Sequence, residues 1–253
     1  MEYWYLYRDD LIKKVTVADF PESKSFHERK EESEDKLLNN VRRAQMMIEA
    51  YALCNDWDWF GTFTLNPEYR DRSDLDGFRS SFMQFLRDCR KRCNCEIRAL
   101  LVPELHKNRE GWHMHGLIAG LPVTSLRVFE ARERLPKYIR RKIKAGEPVY
   151  DWPDYRRRFG WVDIEPVKNR DAAARYITKY LRKDGVTTAK FMELGRHLYY
   201  VTRGLKKPIR LNVENASGEV PEALTSDFVL GTVLNYADYG ISVEWFENHS
   251  SRK

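Results

Sequence analysis

Apolar positions recur at three- and four-residue steps from about Asp35 to Leu53, where Leu37, Val41, Ala44, Ile48 and Tyr51 form one stripe, and this predicts a helix. The period then changes to two. Trp57 to Leu65, WDWFGTFTL, alternates and is rich in aromatics and threonine, which predicts a strand ended by Asn66-Pro67. Helical spacing returns after Ser73, with Leu75, Phe78, Phe82, Phe85 and Cys89 as the buried stripe and Asp74 and Asp76 in the first turn. Glu96–Leu105 and Trp112–Ala119 read as strands, and the polar HKNREG between them is short enough for an antiparallel hairpin. Residues 123–145 are expected to form a basic helix broken near Pro136. Trp161–Val167 follows as a strand, Asn169–Lys183 as a helix, and His197–Thr202 and Phe228–Asn235 as further strands. Residues 1–30 show no clear period. Helices and strands mix without a βαβα rhythm, so the expected class is α+β, built on an antiparallel sheet.

Composition narrows this picture only slightly. With 42% hydrophobic and 32% charged residues in 253, the chain is an ordinary globular protein rather than a disordered one. It has no run of about 18 apolar residues that could span a bilayer, so no membrane partner is expected. The N-terminus carries acidic residues and no small-residue cleavage site, which makes the cytoplasm, here of a bacterial host, the default location. The net charge of +6 is concentrated in bursts, Arg156-Arg157-Arg158 and Lys206-Lys207, and aromatic residues reach 13%. Cationic side chains track phosphates and aromatic faces stack on unpaired bases, so these five residues are candidate DNA contacts. The same charges also suit a solvated surface. The basic segments 127–144 and 156–158 are candidates for contact with a duplex or hairpin. Cys54, Cys89, Cys93 and Cys95 have no CxxC or CxxH partner elsewhere, so reduced thiols are expected rather than structural zinc. No Walker loop is present.

Two clusters carry candidate chemistry. His113-Met114-His115 lies on a predicted strand, where alternation turns both imidazoles to one side and lets them converge on one metal ion. Glu104 and His106, across the predicted turn, share a face with each other, and either is a candidate third ligand. In DAAARYITKYLRKD, Tyr176, Lys179, Tyr180 and Lys183 stand at i, i+3, i+4 and i+7 and form a single helical stripe. Ala173, Ile177 and Leu181 form an apolar stripe beside it that can anchor the helix. A tyrosine can attack a phosphodiester because its phenolate also leaves well in the reverse transfer. With a free pKa near 10 it needs a nearby cation, which the lysines could supply. Packing tyrosines with lysines snorkelling past them would give the same pattern.

Taken in order, three motifs resemble the HUH endonucleases. Phe63-Thr64-Leu65-Asn66-Pro67 is similar to the first motif of that superfamily, PELHKNREGWHMHGLI (103–118) to the second and RYITKYLRK (175–183) to the third. Paired tyrosines, each with lysine at i+3, are similar to the rolling-circle replication initiators of small single-stranded DNA phages and plasmids. The resemblance implies an HUH domain over 55–205, with a central antiparallel sheet of about five strands and flanking helices. Residues 1–54 would be an N-terminal helical extension and 206–253 a C-terminal one. It also implies a divalent metal, Mn²⁺ or Mg²⁺, on His113, His115 and Glu104 (or His106), with Glu104 preferred. Tyr176 or Tyr180, assisted by Lys179 and Lys183, would nick single-stranded origin DNA, leaving a 5′-phosphotyrosine and a free 3′-OH, and later rejoin strands. The implied partners are an origin hairpin and the host helicase and polymerase. The alternatives are a single-tyrosine transposase of the same superfamily and a non-catalytic DNA-binding module of the same fold.

Overall fold

The computed structural model describes residues 2–8, 11–16, 34–106, 110–191 and 197–211. They belong to two compact units, one spanning Ser33–Leu205 and the other formed by the segments before and after it. In the latter, β1 (Glu2–Arg8) and β2 (Leu11–Thr16) form an antiparallel hairpin, and a strand near the other end of the described chain, Ile209–Leu211, pairs with β1. This hairpin went unpredicted because β1, EYWYLYR, has large aromatics at both parities, which erases the two-residue period. Residues 1–54 therefore contribute two strands to one unit and a helix to the other.

The larger unit contains, in chain order, α1 (Glu34–Cys54), β3 (Trp59–Thr64), α2 (Leu75–Cys93), β4 (Arg98–Leu105), β5 (Trp112–Ala119), β6 (Arg127–Val128), α3 (Lys137–Lys144), β7 (Tyr150–Asp151), α4 (Pro153–Arg158), β8 (Val162–Pro166), α5 (Arg170–Phe191) and β9 (Tyr200–Val201). The remaining strand, β10, is Ile209–Leu211 of the smaller unit. The strands of the larger unit form one antiparallel sheet in the order β6-β7-β8-β3-β5-β4-β9. The class is α+β, as the sequence predicts, but the sheet has seven strands rather than about five. The difference lies in β6, β7 and β9, which are two residues each, too short to leave a hydrophobic period in the sequence.

Register assigns the two faces. Gly61 lies opposite Gly116 and Phe63 opposite Met114, and these point to one side; Phe60, Thr62 and Thr64 point to the other, opposite Leu117, His115 and His113. The burial of β3 alternates accordingly, with Trp59, Gly61 and Phe63 buried and Phe60, Thr62 and Thr64 half-buried. On the buried side α2 and α4 supply interlocking rings: Phe63 meets Phe82 at 4.7 Å between centroids and Tyr155 at 5.1 Å, and Phe85 meets Trp152 at 4.9 Å. The glycine pair makes room for this packing. A Cβ at Gly61 would stand 2.6 Å from Phe63 Cζ, and one at Gly116 2.7 Å from Leu101 Cδ2. Asp74 caps α2 by accepting from Gly77 N at 2.8 Å. A smaller core of Phe129, Leu135, Ile139 and Val149 lies under α3, packed against Ile143 and Trp161.

Three further expectations are corrected. Residues 123–145 are not one broken helix: they hold a short 3₁₀ turn, Val123–Ser125, then β6, and α3 begins only after Pro136. Glu133 explains the break, because its carboxylate takes both Arg127 and the backbone N–H of Glu130 and folds that segment into a turn. Helix α5 runs through Gly185 to Phe191 instead of stopping at Lys183; one interior glycine costs only about 1 kcal/mol. Cys93 and Cys95 form a disulfide rather than two thiols, since the left-handed Asn94 turns the chain back at the end of α2. Cys54 and Cys89 are free and buried. The expected strand Phe228–Asn235 lies outside the described residues. No helix among the described residues is long and apolar enough to cross a membrane.

Candidate functional site

The half-buried side of the sheet is polar at its centre. Glu104 lies directly opposite His113 in the β4–β5 ladder, and His115 opposite Val102, so Glu104, His113 and His115 share one face. His106 extends the row, its backbone N–H bonded to Gly111 O. The β8 pairings add Asp163 opposite Thr62 and Glu165 opposite Phe60 on that same face.

Each histidine is held on two sides. His115 Nε2 donates to Glu104 Oε2 at 2.7 Å, while its Nδ1 lies 3.4 Å from the Thr62 hydroxyl. His113 Nδ1 is 2.7 Å from the Thr64 hydroxyl, and the His106 ring stacks on His113 at 3.6 Å. Burial and the neighbouring His106 and His115 push the His113 pKa down to about 4, so its imidazole is neutral near pH 7. Burial also lowers His106, with Arg72 adding to it. Burial tends to raise the Glu104 carboxyl, but the His115 hydrogen bond and the adjoining imidazoles outweigh this and hold it below the usual carboxylate range.

Helix α5 crosses this face. Its apolar stripe of Ala174, Ile177 and Leu181 is buried, which turns the neighbouring tyrosines to the polar side. Tyr180 stacks flat on His115, with centroids 3.5 Å apart and planes 12° apart. Tyr176 lies edge-on to Phe60 at 5.0 Å and to Tyr180 at 5.3 Å, and it is 47% exposed. Burial, a hydrogen bond with Tyr176 and the charges of Tyr176, Glu104 and Asp163 push the Tyr180 phenol well above its ordinary range. Lys179 is exposed, its Nζ 6.0 Å from the Tyr176 ring centre. The side chain of Lys183 lies outside the described residues.

The donors suit a divalent cation in kind, being neutral imidazole and ionised carboxylate on one strand pair. His106 Nε2 is also buried without a hydrogen-bond partner, an orphaned polar atom beside them. As the side chains stand, however, they pair with one another, and no group of three or more His, Cys, Asp or Glu among the described residues is gathered to hold a metal.

The basic triplet is engaged elsewhere. Arg156 pairs with Asp151 at 2.8 Å and lies over the Trp161 ring at 4.4 Å; Arg157 pairs with Asp154, and Arg158 with Asp88 at 3.3 Å. Lys206 and Lys207 fall in the smaller unit. Several residues of the polar face were not singled out from the sequence. Thr62 carried a usable signal, because Phe60, Thr62 and Thr64 share the parity opposite to the buried Phe63. Asp163, Glu165 and their partners Tyr138 and Lys142 carried none, since only the fold brings α3 onto β8.

An antiparallel α+β sheet whose central hairpin presents a His-x-His pair to a tyrosine-bearing helix defines a recognisable class of protein. Residues 58–185 match the family model described as Replication-associated protein of the ORF2/gene II protein type, and the chain belongs to that family. No curated protein and no solved structure matches the chain.

Proposed function

We propose that this protein initiates replication by nicking single-stranded origin DNA with a helix-borne tyrosine and later rejoins the strand, which makes it a rolling-circle initiator. The family supports a replication role that entails DNA binding. The observation that carries the chemistry is the stacking of Tyr180 on His115 at 3.5 Å, with Tyr176 hydrogen-bonded beside it and Glu104 on the other edge of the same imidazole. Phosphodiester transfer needs this assembly of a nucleophile, a charge-stabilising cluster and an open approach.

In this reading the tyrosine oxygen attacks the scissile phosphorus. The Oη–P bond forms as the P–O3′ bond breaks, and the phenolic proton is balanced by protonation of the departing 3′-oxygen. The product keeps one phosphodiester, so a 3′-OH can reverse the step and close the strand. His113, His115 and Glu104 would hold a divalent ion, Mn²⁺ or Mg²⁺, whose charge would stabilise the pentavalent phosphate. The two threonines orient the imidazoles, Phe60 supports Tyr176, and Lys179 places a cation near the tyrosines. The raised pKa of Tyr180 keeps it protonated at rest, and the exposed Tyr176 is the first to meet an incoming strand. The two tyrosines would serve in turn, one for initiation and one for termination. Host helicase and polymerase would extend the freed 3′-OH.

Incubating the protein with labelled single-stranded origin DNA and Mn²⁺ tests this reading. Wild type is expected to give a denaturant-resistant adduct. Tyr176→Phe and Tyr180→Phe should each retain a first cleavage but lose strand rejoining, and the double variant should form no adduct. An adduct from the double variant would sink the proposal, and loss of all cleavage in only one single variant would reduce it to a one-tyrosine enzyme.

A further inference from the structure

Helix α3 carries two stripes with different duties. Tyr138 and Lys142, one turn apart, reach the polar sheet face, where the Tyr138 hydroxyl donates to Asp163 at 2.7 Å and Lys142 pairs with Glu165. Ile139 is buried in the small core. Lys137, Arg140, Arg141 and Lys144 stand at i, i+3, i+4 and i+7, all exposed, and none has a carboxylate partner among the described residues. Elsewhere in the unit many cations are neutralised: Arg127, Arg156, Arg157, Arg158 and Lys168 each pair with an acid. Four unpaired cations on one short helix repel one another, and a helix tolerates this at a small cost for each like-charged pair. A polyanion would relieve it.

The location of the stripe narrows the choice of polyanion. Lys142 lines a groove of about 380 Å³ together with Phe60, Glu165, Lys168, Asn169 and Tyr176, so α3 borders the approach to the exposed tyrosine. The groove offers aromatic faces, which suit unpaired bases. The outer stripe of α3 offers charge alone, because its one aromatic, Tyr138, is turned to Asp163. Charge without a stacking platform reads backbone and not bases. The stripe is rigid and about 10 Å long at 1.5 Å per residue, which spans several phosphates of a duplex.

We infer that Lys137, Arg140, Arg141 and Lys144 of α3 form a docking surface for the phosphate backbone of double-stranded DNA, such as a hairpin stem, whose single-stranded extension enters the groove at Tyr176. This rests on the DNA-processing reading above. It moves the duplex contact from Arg156–Arg158, which are committed to ion pairs, onto the solvent side of α3.

The test is equilibrium binding by fluorescence anisotropy in EDTA, where no cleavage is needed. The probes are a DNA hairpin stem with an oligo-dT tail and oligo-dT alone, each titrated from about 50 to about 200 mM salt. Removing one cation from a phosphate flattens the plot of log K against log salt by about 0.9. The variant Lys137→Gln/Arg140→Gln/Arg141→Gln/Lys144→Gln is expected to flatten it by about 2 to 3.5 for the stem probe and to leave oligo-dT affinity within about twofold. Arg157→Gln should leave both unchanged. If the fourfold variant melts early, Lys137→Gln/Lys144→Gln should show about half the flattening. An unchanged slope, or equal losses on both probes, would overturn the inference. A protein that passes this test but forms no covalent adduct refutes the nicking proposal alone; one that forms the adduct with α3 neutralised and the slope unchanged refutes the duplex surface alone.

Discussion

Thr64 shows how much one hydroxyl can decide. It faces His113 across the β3–β5 ladder, and with Nδ1 occupied at 2.7 Å the ring has only Nε2 left to offer an outside ligand. Thr62 stands in the same relation to His115, so a Thr-x-Thr segment on one strand matches the His-x-His of the next. Groups that hold a ligating imidazole from behind commonly change metal affinity by about 10–100-fold when removed. Thr64→Val, which keeps the shape and deletes the hydroxyl, is expected to weaken Mn²⁺ binding by about that range in a calorimetric titration. Thr64→Ser should recover most of the loss, and both should melt within about 1 kcal/mol of wild type. Equal affinities for Val and Ser would detach Thr64 from the site. The histidines themselves were legible from strand alternation, but this matching of threonines to histidines was not, because register between strands is a tertiary fact.

Among the elements, stability and chemistry occupy opposite faces of one sheet. Helix α2 follows its sequence stripe closely, burying Leu75, Phe78, Phe82, Phe85 and Cys89, with Leu86 added. Phe82 is fully buried at the centre of the aromatic layer, touching Phe63, Tyr155 and Phe159. Phe82→Ala should therefore cost about 3–5 kcal/mol in denaturant unfolding; a loss below about 1 kcal/mol would mean that this layer is not the main core. Helix α5 shows the other case. Its buried stripe of Ala174, Ile177 and Leu181 anchors it, and the adjacent stripe is left to carry Tyr176 and Tyr180. Helix α3 was misread as the second half of a longer helix. Its basic composition says nothing of where Glu133 folds the preceding segment, nor of which lysine will meet Glu165.

For the molecule as a whole, the family match at residues 58–185 lies inside the unit Ser33–Leu205, which contains the complete seven-stranded sheet. The donor cluster sits on the face away from the aromatic core, so metal removal should silence chemistry without unfolding the protein. Treatment with EDTA is expected to abolish adduct formation and to shift Tm by no more than about 3 °C, the equivalent of about 1 kcal/mol for a unit of this size. A large drop in Tm on chelation would make the ion structural instead.

The sequence alone determined the helices and strands with a clean period, the α+β class, and the candidate residues His113, His115, Glu104, Tyr176 and Tyr180. All of these depend on local spacing, two residues in a strand and 3.6 in a helix, which the chain carries wherever it folds. Tertiary structure alone decided the seven-strand order, the hairpin of β1 and β2 with β10, the meeting of Tyr180 with His115 and the docking of α3 on Asp163 and Glu165. It also decided which charges are spent: Arg156, Arg157 and Arg158 look like the free basic patch in the sequence, yet each finds an acid, two of them from another element, whereas the outer stripe of α3 finds none among the described residues. The reason is physical. An ion pair or a ring stack depends on distances across the fold between residues as far apart as Asp88 and Arg158, and no periodicity along the chain encodes them.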